Sequence, residues 1–166
     1  MPGRDVSEGR VLTLERTRYD AEYGQLLEVI YNQQSACLRP ILDLIELTWE
    51  QFGQRLRSTG TAYRICLDGK LAGVCWVELR NKTLTLLGLN VSPQCQGQGI
   101  ATRVLERLEQ VYAGRGRWIE LQVHASNHSA RRLYERCGYQ IVGYDERSGF
   151  YTMRKTIRRR HINSHW

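Results

Sequence analysis

The apolar positions of this chain change period several times. A short apolar run at 11–14 reads as a first strand. Over 21–35, Tyr23, Leu26, Leu27, Ile30 and Tyr31 recur on one helical face, with Asp20 placed to cap it. Residues 38–47 are apolar enough for a buried helix, and Pro40 suits a first helical turn. Thr48-Trp-Glu-Gln51 has the form of a capping box and predicts a helix to about Ser58.

From Thr61 the period drops to two. Residues 61–67, 71–79 and 83–91 read as strands, joined by the hairpin signal Asp68-Gly69 and by Arg80-Asn81-Lys82. Helical spacing returns over 101–112, where Val104, Leu105, Leu108, Val111 and Tyr112 recur, and Gly114 and Gly116 are expected to end the helix. Residues 118–124 are strand-like. Ser126 or Asn127 can cap a helix to Arg136, closed by Gly138. Two final strands, 139–144 and 150–156, flank a turn with Ser148-Gly149.

The element order is β-α-α-β-β-β-α-β-α-β-β. Strand 83–91, helix 101–112 and strand 118–124 form a right-handed crossover, which makes those strands parallel. The other neighbours meander and are antiparallel. The predicted class is α/β (α+β): a mixed, mostly antiparallel sheet of six or seven strands, flanking helices and a central β-α-β crossover. No repeat or linker divides the chain. Residues 11–157 are therefore read as one domain, preceded by a flexible polar segment (1–10) and followed by a basic tail (158–166).

Composition narrows the class. With 42% hydrophobic and 25% charged residues, the 166-residue chain suits a soluble globular domain. No apolar run approaches the roughly 20 residues of a membrane helix, and MPGRDVSEGR lacks the apolar core of a secretory signal. No membrane partner is expected. The five cysteines are odd in number and have no metal-ligand spacing, so reduced thiols, no metal and a cytoplasmic location are expected. Lys and Arg number 24 against 17 Asp and Glu, a net charge of +7, which favours anionic partners. Part of the excess lies in the tail; nucleic-acid binding there would be non-specific and salt-dependent, and is not expected.

The chemistry starts at Gln94-Cys-Gln-Gly97-Gln-Gly99-Ile-Ala101, between a strand and a helix. The first N–H groups of a helix lack internal partners and carry its positive dipole end. Glycine at 97 and 99 leaves them approachable and permits unusual dihedrals, which makes an anion cradle. A Walker loop would need Gly-Lys-Ser/Thr, but Ile100-Ala101 follows Gly99. A dinucleotide fingerprint would need a third glycine and another upstream context. What remains is Gln/Arg-x-x-Gly-x-Gly/Ala, which residues 94–99 fit. Alone, this pattern also fits an ordinary helix start.

A second motif follows: Asn127-His-Ser-Ala130-Arg-Arg-Leu133-Tyr134-Glu-Arg-Cys-Gly138-Tyr139. The two motifs, in this order, resemble the GCN5-related N-acetyltransferase (GNAT) superfamily, most closely over 83–157. The resemblance implies acetyl-CoA (coenzyme A) as co-substrate. It implies a primary amine as acceptor, from a small molecule or a protein N-terminus or lysine. It implies the backbone of Leu89, Asn90 and Val91 along the pantetheine. The pyrophosphate would lie on amides of Gln94, Cys95, Gln96, Gly97, Gln98, Gly99, Ile100 and Ala101. Asn127 would meet the pantetheine region, and Tyr134 would lie near the thioester sulfur. Arg132, with Arg103 and Arg131, is a candidate partner for the 3′-phosphate; a solvated helix face is the plain alternative.

An alkylamine has a pKa near about 10.4 and arrives protonated, so a base or water chain must take its proton. The oxyanion needs an N–H donor, and the leaving thiolate an acid, for which Tyr134 is the candidate. Core packing of Leu133 and Tyr134 is the alternative. The base is less legible. Residues 86–91 hold no acid, and Gln122 stands where ribosomal-protein alanine acetyltransferases place a glutamate. Glu120 and His124, on the same strand face as Gln122, are catalytic candidates, with Glu78 a further one. Proton loss to ordered water, with proximity doing most of the work, is the other route. Tyr31, Trp49, Trp76, Tyr144 and Tyr151 are candidates for an acceptor pocket. A non-catalytic acyl-CoA-binding module is the alternative function, and the choice between monomer and homodimer stays open.

Overall fold

The computed structural model describes residues 9–16, 46, 48, 50, 51, 54 and 60–159. The helix expected over 21–35 and, apart from Glu46, the one expected over 38–47 lie outside the described residues, as do Tyr31, Cys37 and Trp49. The expected capping box is present. Thr48 N–H donates to Gln51 Oε1 at 2.9 Å, and Gln51 N–H donates to Thr48 Oγ1 at 3.2 Å.

The strands are β1 (Leu12–Arg16), β2 (Thr61–Leu67), β3 (Lys70–Arg80), β4 (Thr83–Val91), β5 (Trp118–His124), β6 (Gln140–Asp145) and β7 (Phe150–Thr156). Two helices, α1 (Ile100–Tyr112) and α2 (His128–Arg136), follow β4 and β5. The strands form one sheet in the order β1-β2-β3-β4-β5-β7-β6. Among these strands, only β4 and β5 pair in parallel; every other pair is antiparallel. The Asp68-Gly69 turn has φ of 52° and 78°, the positive values of a type I′ hairpin.

Ile100, Val104, Leu105, Leu108 and Tyr112 form the buried stripe of α1. They pack on Leu84 and Leu86 of β4, Ile119, Leu121 and Val123 of β5, and Met153 of β7 in one core. Val111, read as part of that stripe, is instead partly exposed. The end of α1 also differs from expectation. Its cap, Ala113, is right-handed at φ −57°, and the N–H groups of Arg115 and Gly116 both reach the Tyr112 carbonyl. Gly116 sits instead in a close contact, since a Cβ there would lie 2.8 Å from Ile157 Cδ1 and that side-chain end would have to shift.

One irregularity positions everything that follows. Val77 pairs with Leu86, but the next residue of β3 toward its start, Trp76, pairs with Gly88, so Leu87 is an extra residue in β4. Such a bulge shifts the alternation by one and bends the strand. Leu89 and Val91 therefore face the same side as Leu84 and Leu86, and pack against the core. At the far end of the ladder, Gly73 opposes Val91, and a Cβ on Gly73 would collide with the Asn90 carbonyl oxygen.

Gly73→Ala is expected to destabilise the domain by about 1–3 kcal/mol, the usual range for overpacking. Urea unfolding measures this, and an unchanged midpoint would contradict the close approach of β3 to β4.

Candidate active site

The parallel ladder is short. Thr83–Leu86 of β4 pair with Trp118–Leu121 of β5, and the register ends there. Beyond it, β4 continues on β3 as far as Val91, while β5 continues on β7 as far as His124. The two parallel strands thus part at the bulge. A cavity of about 580 Å³ opens between the end of β4, the start of α1 and the face of α2.

The chain enters α1 through a 3-10 turn, Pro93–Cys95. Within it, Cys95 N–H donates to the Ser92 carbonyl and Gln96 N–H to Pro93. Those two amides are engaged within the turn, and Gln94 lies outside the cavity lining. Gly97 and Gly99 have φ of 77° and 71°, left-handed values that suit glycine. Gly99 is the N-cap; among the described residues no side chain caps this end, and no acidic residue lies in the first turn. The amino end of α1 therefore keeps its N–H groups and partial positive charge for a ligand. A Cβ on Gly97 would meet no atom within 4 Å, so the space over the turn is open.

Helix α2 is fixed at both ends. Asn127 Oδ1 accepts the Ala130 N–H at 3.2 Å, an N-cap that leaves its amide nitrogen to meet a ligand. At the other end, Gly138, with φ 93°, donates to Glu135, and Tyr139 N–H donates to the Tyr134 carbonyl at 3.0 Å. This pair of bonds is a Schellman cap. It brings the Tyr139 ring edge-on to Tyr134, with centroids 5.9 Å apart. The spacing of Tyr134 to Gly138 and Tyr139 therefore has a local cause: the cap holds the backbone and ring of Tyr134. Burial lifts the Tyr134 phenol above its usual value of 10, and the neighbouring Cys137 thiol adds to the shift.

Of the cofactor candidates, Leu89, Val91, Cys95, Gln96, Gly97, Gly99, Ile100, Ala101, Asn127 and Tyr134 line the cavity. Asn90, Gln94, Gln98 and Arg132 are not among its lining residues. Arg132 Nε instead reaches the His128 carbonyl at 3.4 Å, and Arg103 Nη2 donates to the Arg10 carbonyl at 2.7 Å. Thr102, Ser129, Ala130, Leu133 and Arg136 line it as well, although the sequence gives them no ligand role. Ala130, one helical turn before Tyr134, is the one that spacing points to; Thr102 and Leu133 are chain neighbours of Ala101 and Tyr134 and carry no such signal.

A model of the acetyltransferase (GNAT) family matches residues 27–139. The chain belongs to this family. An uncharacterized N-acetyltransferase of Methanocaldococcus jannaschii is 34% identical over 76 residues, covering 45% of this chain and 49% of that protein. The match spans about half the length of that curated relative. Among solved structures, the ribosomal-protein-S18-alanine N-acetyltransferase of Escherichia coli is 19% identical, with a TM-score of 0.61 over 94% of this chain and 100% of that one. An acetyltransferase from Thermus thermophilus gives 0.66 at 17% identity, covering 88% and 97%. The N-acetyltransferase PseH of Campylobacter jejuni, solved with acetyl coenzyme A, gives 0.60 at 18% identity, covering 88% and 99%. At these identities the likeness to the solved structures is one of fold.

In this GNAT chain, the residues fit coenzyme A on the observations above: an uncapped helix start, open space over Gly97 and a groove beside the parted strand. The proposed bases are differently placed. Glu120 Oε2 accepts both Nε and Nη2 of Arg154, at 3.0 and 2.8 Å. Glu78 is held by Arg80 at 2.9 Å. His124 Nδ1 accepts the Ser126 N–H at 3.2 Å and lies 2.6 Å from Ser126 Oγ, while its ring meets Phe150 edge-on. A neutral His124 then carries its proton on Nε2, beside Gly149. All three lie outside the cavity lining. Cys75 is buried, and burial pushes its thiol up to about 12, so it is no nucleophile. Of the acceptor-pocket candidates, Trp76 is buried, whereas Tyr144 and Tyr151 meet at 4.8 Å on the β6–β7 hairpin.

Gly97→Asp and Gly97→Asn separate folding from binding, because Asp and Asn both tolerate left-handed backbone and the site is open. Gly97→Asp is expected to weaken acetyl-CoA binding by about tenfold or more, the scale of one close charge in a cleft, and Gly97→Asn by less. Calorimetric titration checks this. Equal affinities for wild type and Gly97→Asp would remove the cradle.

Proposed function

We propose that this protein is an acetyl-CoA-dependent N-acetyltransferase acting on a primary amine, of a small molecule or of a protein, through a ternary complex. One observation carries the reading: the uncapped start of α1, the parted edge of β4 and Tyr134 border a single cavity. Bound acetyl-CoA supplies an acyl group activated as a thioester. The N–H groups of residues 97–102 hold its anionic part, and the backbone of Leu89 and Val91 aligns the pantetheine arm in the gap between β4 and β5. Asn127 adds a polar contact from the cap of α2.

The acceptor nitrogen attacks the acyl carbon, the C–S bond breaks, and the thiolate leaves. Tyr134 holds a proton for that thiolate. Its phenol is protonated at neutral pH, as an ordinary tyrosine is, and burial extends that range upward, so it stays a donor. Backbone N–H at the end of β4 serves the developing oxyanion. Glu120 and Glu78 are already ion-paired, and His124 is built into the turn before α2. The ammonium proton therefore passes to water, and holding the two reactants together supplies most of the acceleration.

Tyr134→Phe is expected to lower kcat by about one to three orders of magnitude, within the range of a lost proton donor, with acetyl-CoA affinity kept. An unchanged rate removes Tyr134 as the acid. Because the folded pKa exceeds 10, deprotonation of Tyr134 should cut kcat only above about pH 10; a Tyr134-dependent alkaline limb near neutrality would contradict its buried setting. Glu120→Gln should change kcat/KM by no more than about threefold, because the group is not asked for a proton. A loss of about a hundredfold in the folded variant would restore Glu120 as the base. The activity itself is tested by coenzyme A release across a panel of amines and N-terminal peptides. Tight acetyl-CoA binding with no turnover on any of them would favour a binding module instead.

A further inference from the structure

The sheet carries a second cleft, and it is the larger. It has a volume of about 750 Å³ and is lined by the turn after α1, by Lys82 and by the chain leaving β7. Five of its lining residues are cations: Lys82, Arg115, Arg117, Arg158 and Arg159; none is acidic. It lies at the opposite end of α1 from the acetyl-CoA cavity. Thirteen helical residues separate the two ends by about 20 Å.

The plainest account of these charges is the carboxyl end of α1, whose dipole favours nearby cations. That accounts for Arg115 and Arg117, but not for charges arriving from β3–β4 and from beyond β7. Among the described residues, the ion pairs are Arg10–Asp68, Arg80–Glu78, Arg131–Glu135, Arg154–Glu120 and Lys155–Glu109. None includes a cation of this cleft. Two of its guanidinium groups rest on aromatic rings instead: Arg115 lies 4.6 Å over Tyr112, and Arg117 lies 4.4 Å over Trp118. A stacked guanidinium has its face covered and its N–H fork directed outward.

The backbone beneath them is tied together. Arg117 N–H donates to the Lys82 carbonyl at 2.7 Å, and Ile157 N–H donates to the Arg117 carbonyl at 2.9 Å. Three separate segments, their backbones joined at Lys82, Arg117 and Ile157, thus bring their cations around one open space, without counter-charges among the described residues. Collecting five like charges costs self-repulsion unless an anion is present. Four of the five are arginines, whose planar forks match phosphate in two-point contacts.

We propose that this cleft binds the phosphate backbone of a nucleic acid. The cleft is a surface separate from the acetyl-CoA cavity, so occupation of one leaves the other open. The interaction is electrostatic and sequence-tolerant, and it strengthens at low salt. It gives the excess positive charge of the chain a place in the folded domain, rather than in the tail alone.

The test is anisotropy of a fluorescent single-stranded RNA with the full chain, at about 50 and about 200 mM salt. Wild type is expected to bind at the lower salt. The triple variant Arg115→Ala/Arg117→Ala/Arg159→Ala should bind about tenfold or more weaker, with a salt slope smaller by about 2, at roughly 0.7 per phosphate contact. The charge-matched control Arg80→Ala/Arg107→Ala/Arg147→Ala should keep wild-type affinity. Acetyl-CoA binding by the cleft variant should be unchanged. Should that variant fail to fold, hydrogen exchange on wild type replaces it, with protection by RNA expected over 113–117 and 156–159. The proposal is overturned by no binding at about 50 mM salt, by equal losses in both triple variants, by protection elsewhere only, or by polyglutamate competing as well as RNA.

Discussion

The rest of this structure depends on one broken pairing. After Leu86 and Leu121, β4 and β5 stop sharing hydrogen bonds, because β4 takes an extra residue at Leu87 against β3. A sheet does not usually surrender backbone bonds in its centre, since each unpaired N–H or carbonyl needs another partner. Here the gap leaves β4 at Leu89 and Val91 bordering a cavity rather than a parallel strand. The same bulge turns Leu89 and Val91 toward the helices, where they meet the start of α1 and the face of α2. One inserted residue thus creates both the opening and its walls.

Most of the fold is legible in the sequence because the periodicities are clean. The hairpin at Asp68-Gly69, the capping box at Thr48 and the cap at Asn127 each follow from local chemistry, and each is present. The bulge is harder to read, although it leaves a trace. Alternation is regular through Thr83-Leu84-Thr85-Leu86, then slips at Leu87-Gly88. Two consecutive leucines before a glycine are that slip. The end of α1 misleads for a different reason: glycine serves close packing as well as left-handed caps, and a sequence does not say which.

The candidate site divides along the same line. Residues whose role is backbone geometry, such as Gly97, Gly99 and Asn127, can be placed from spacing alone, because helix ends impose their own chemistry. The base cannot. Whether Glu120 is a reactive carboxylate or half of an ion pair depends on Arg154, which lies two strand segments later and meets it only across β5 and β7. Likewise, Arg103 points to a phosphate in sequence but binds the Arg10 carbonyl in the fold. Long-range partners decide charge chemistry, and no local pattern reports them. The larger cavity is not the one that holds the proposed site: it lies at the carboxyl end of α1, away from the open amides and from Tyr134.

The central claim is that coenzyme A is seated where β4 and β5 part, on the open amino end of α1. Amide NMR during titration with acetyl-CoA tests it most directly. Saturable shifts should centre on residues 89, 91 and 97–102, with Tyr134 and Asn127 following. Shifts confined to residues 113–117 and 156–159, or no saturable shifts at all, would contradict it.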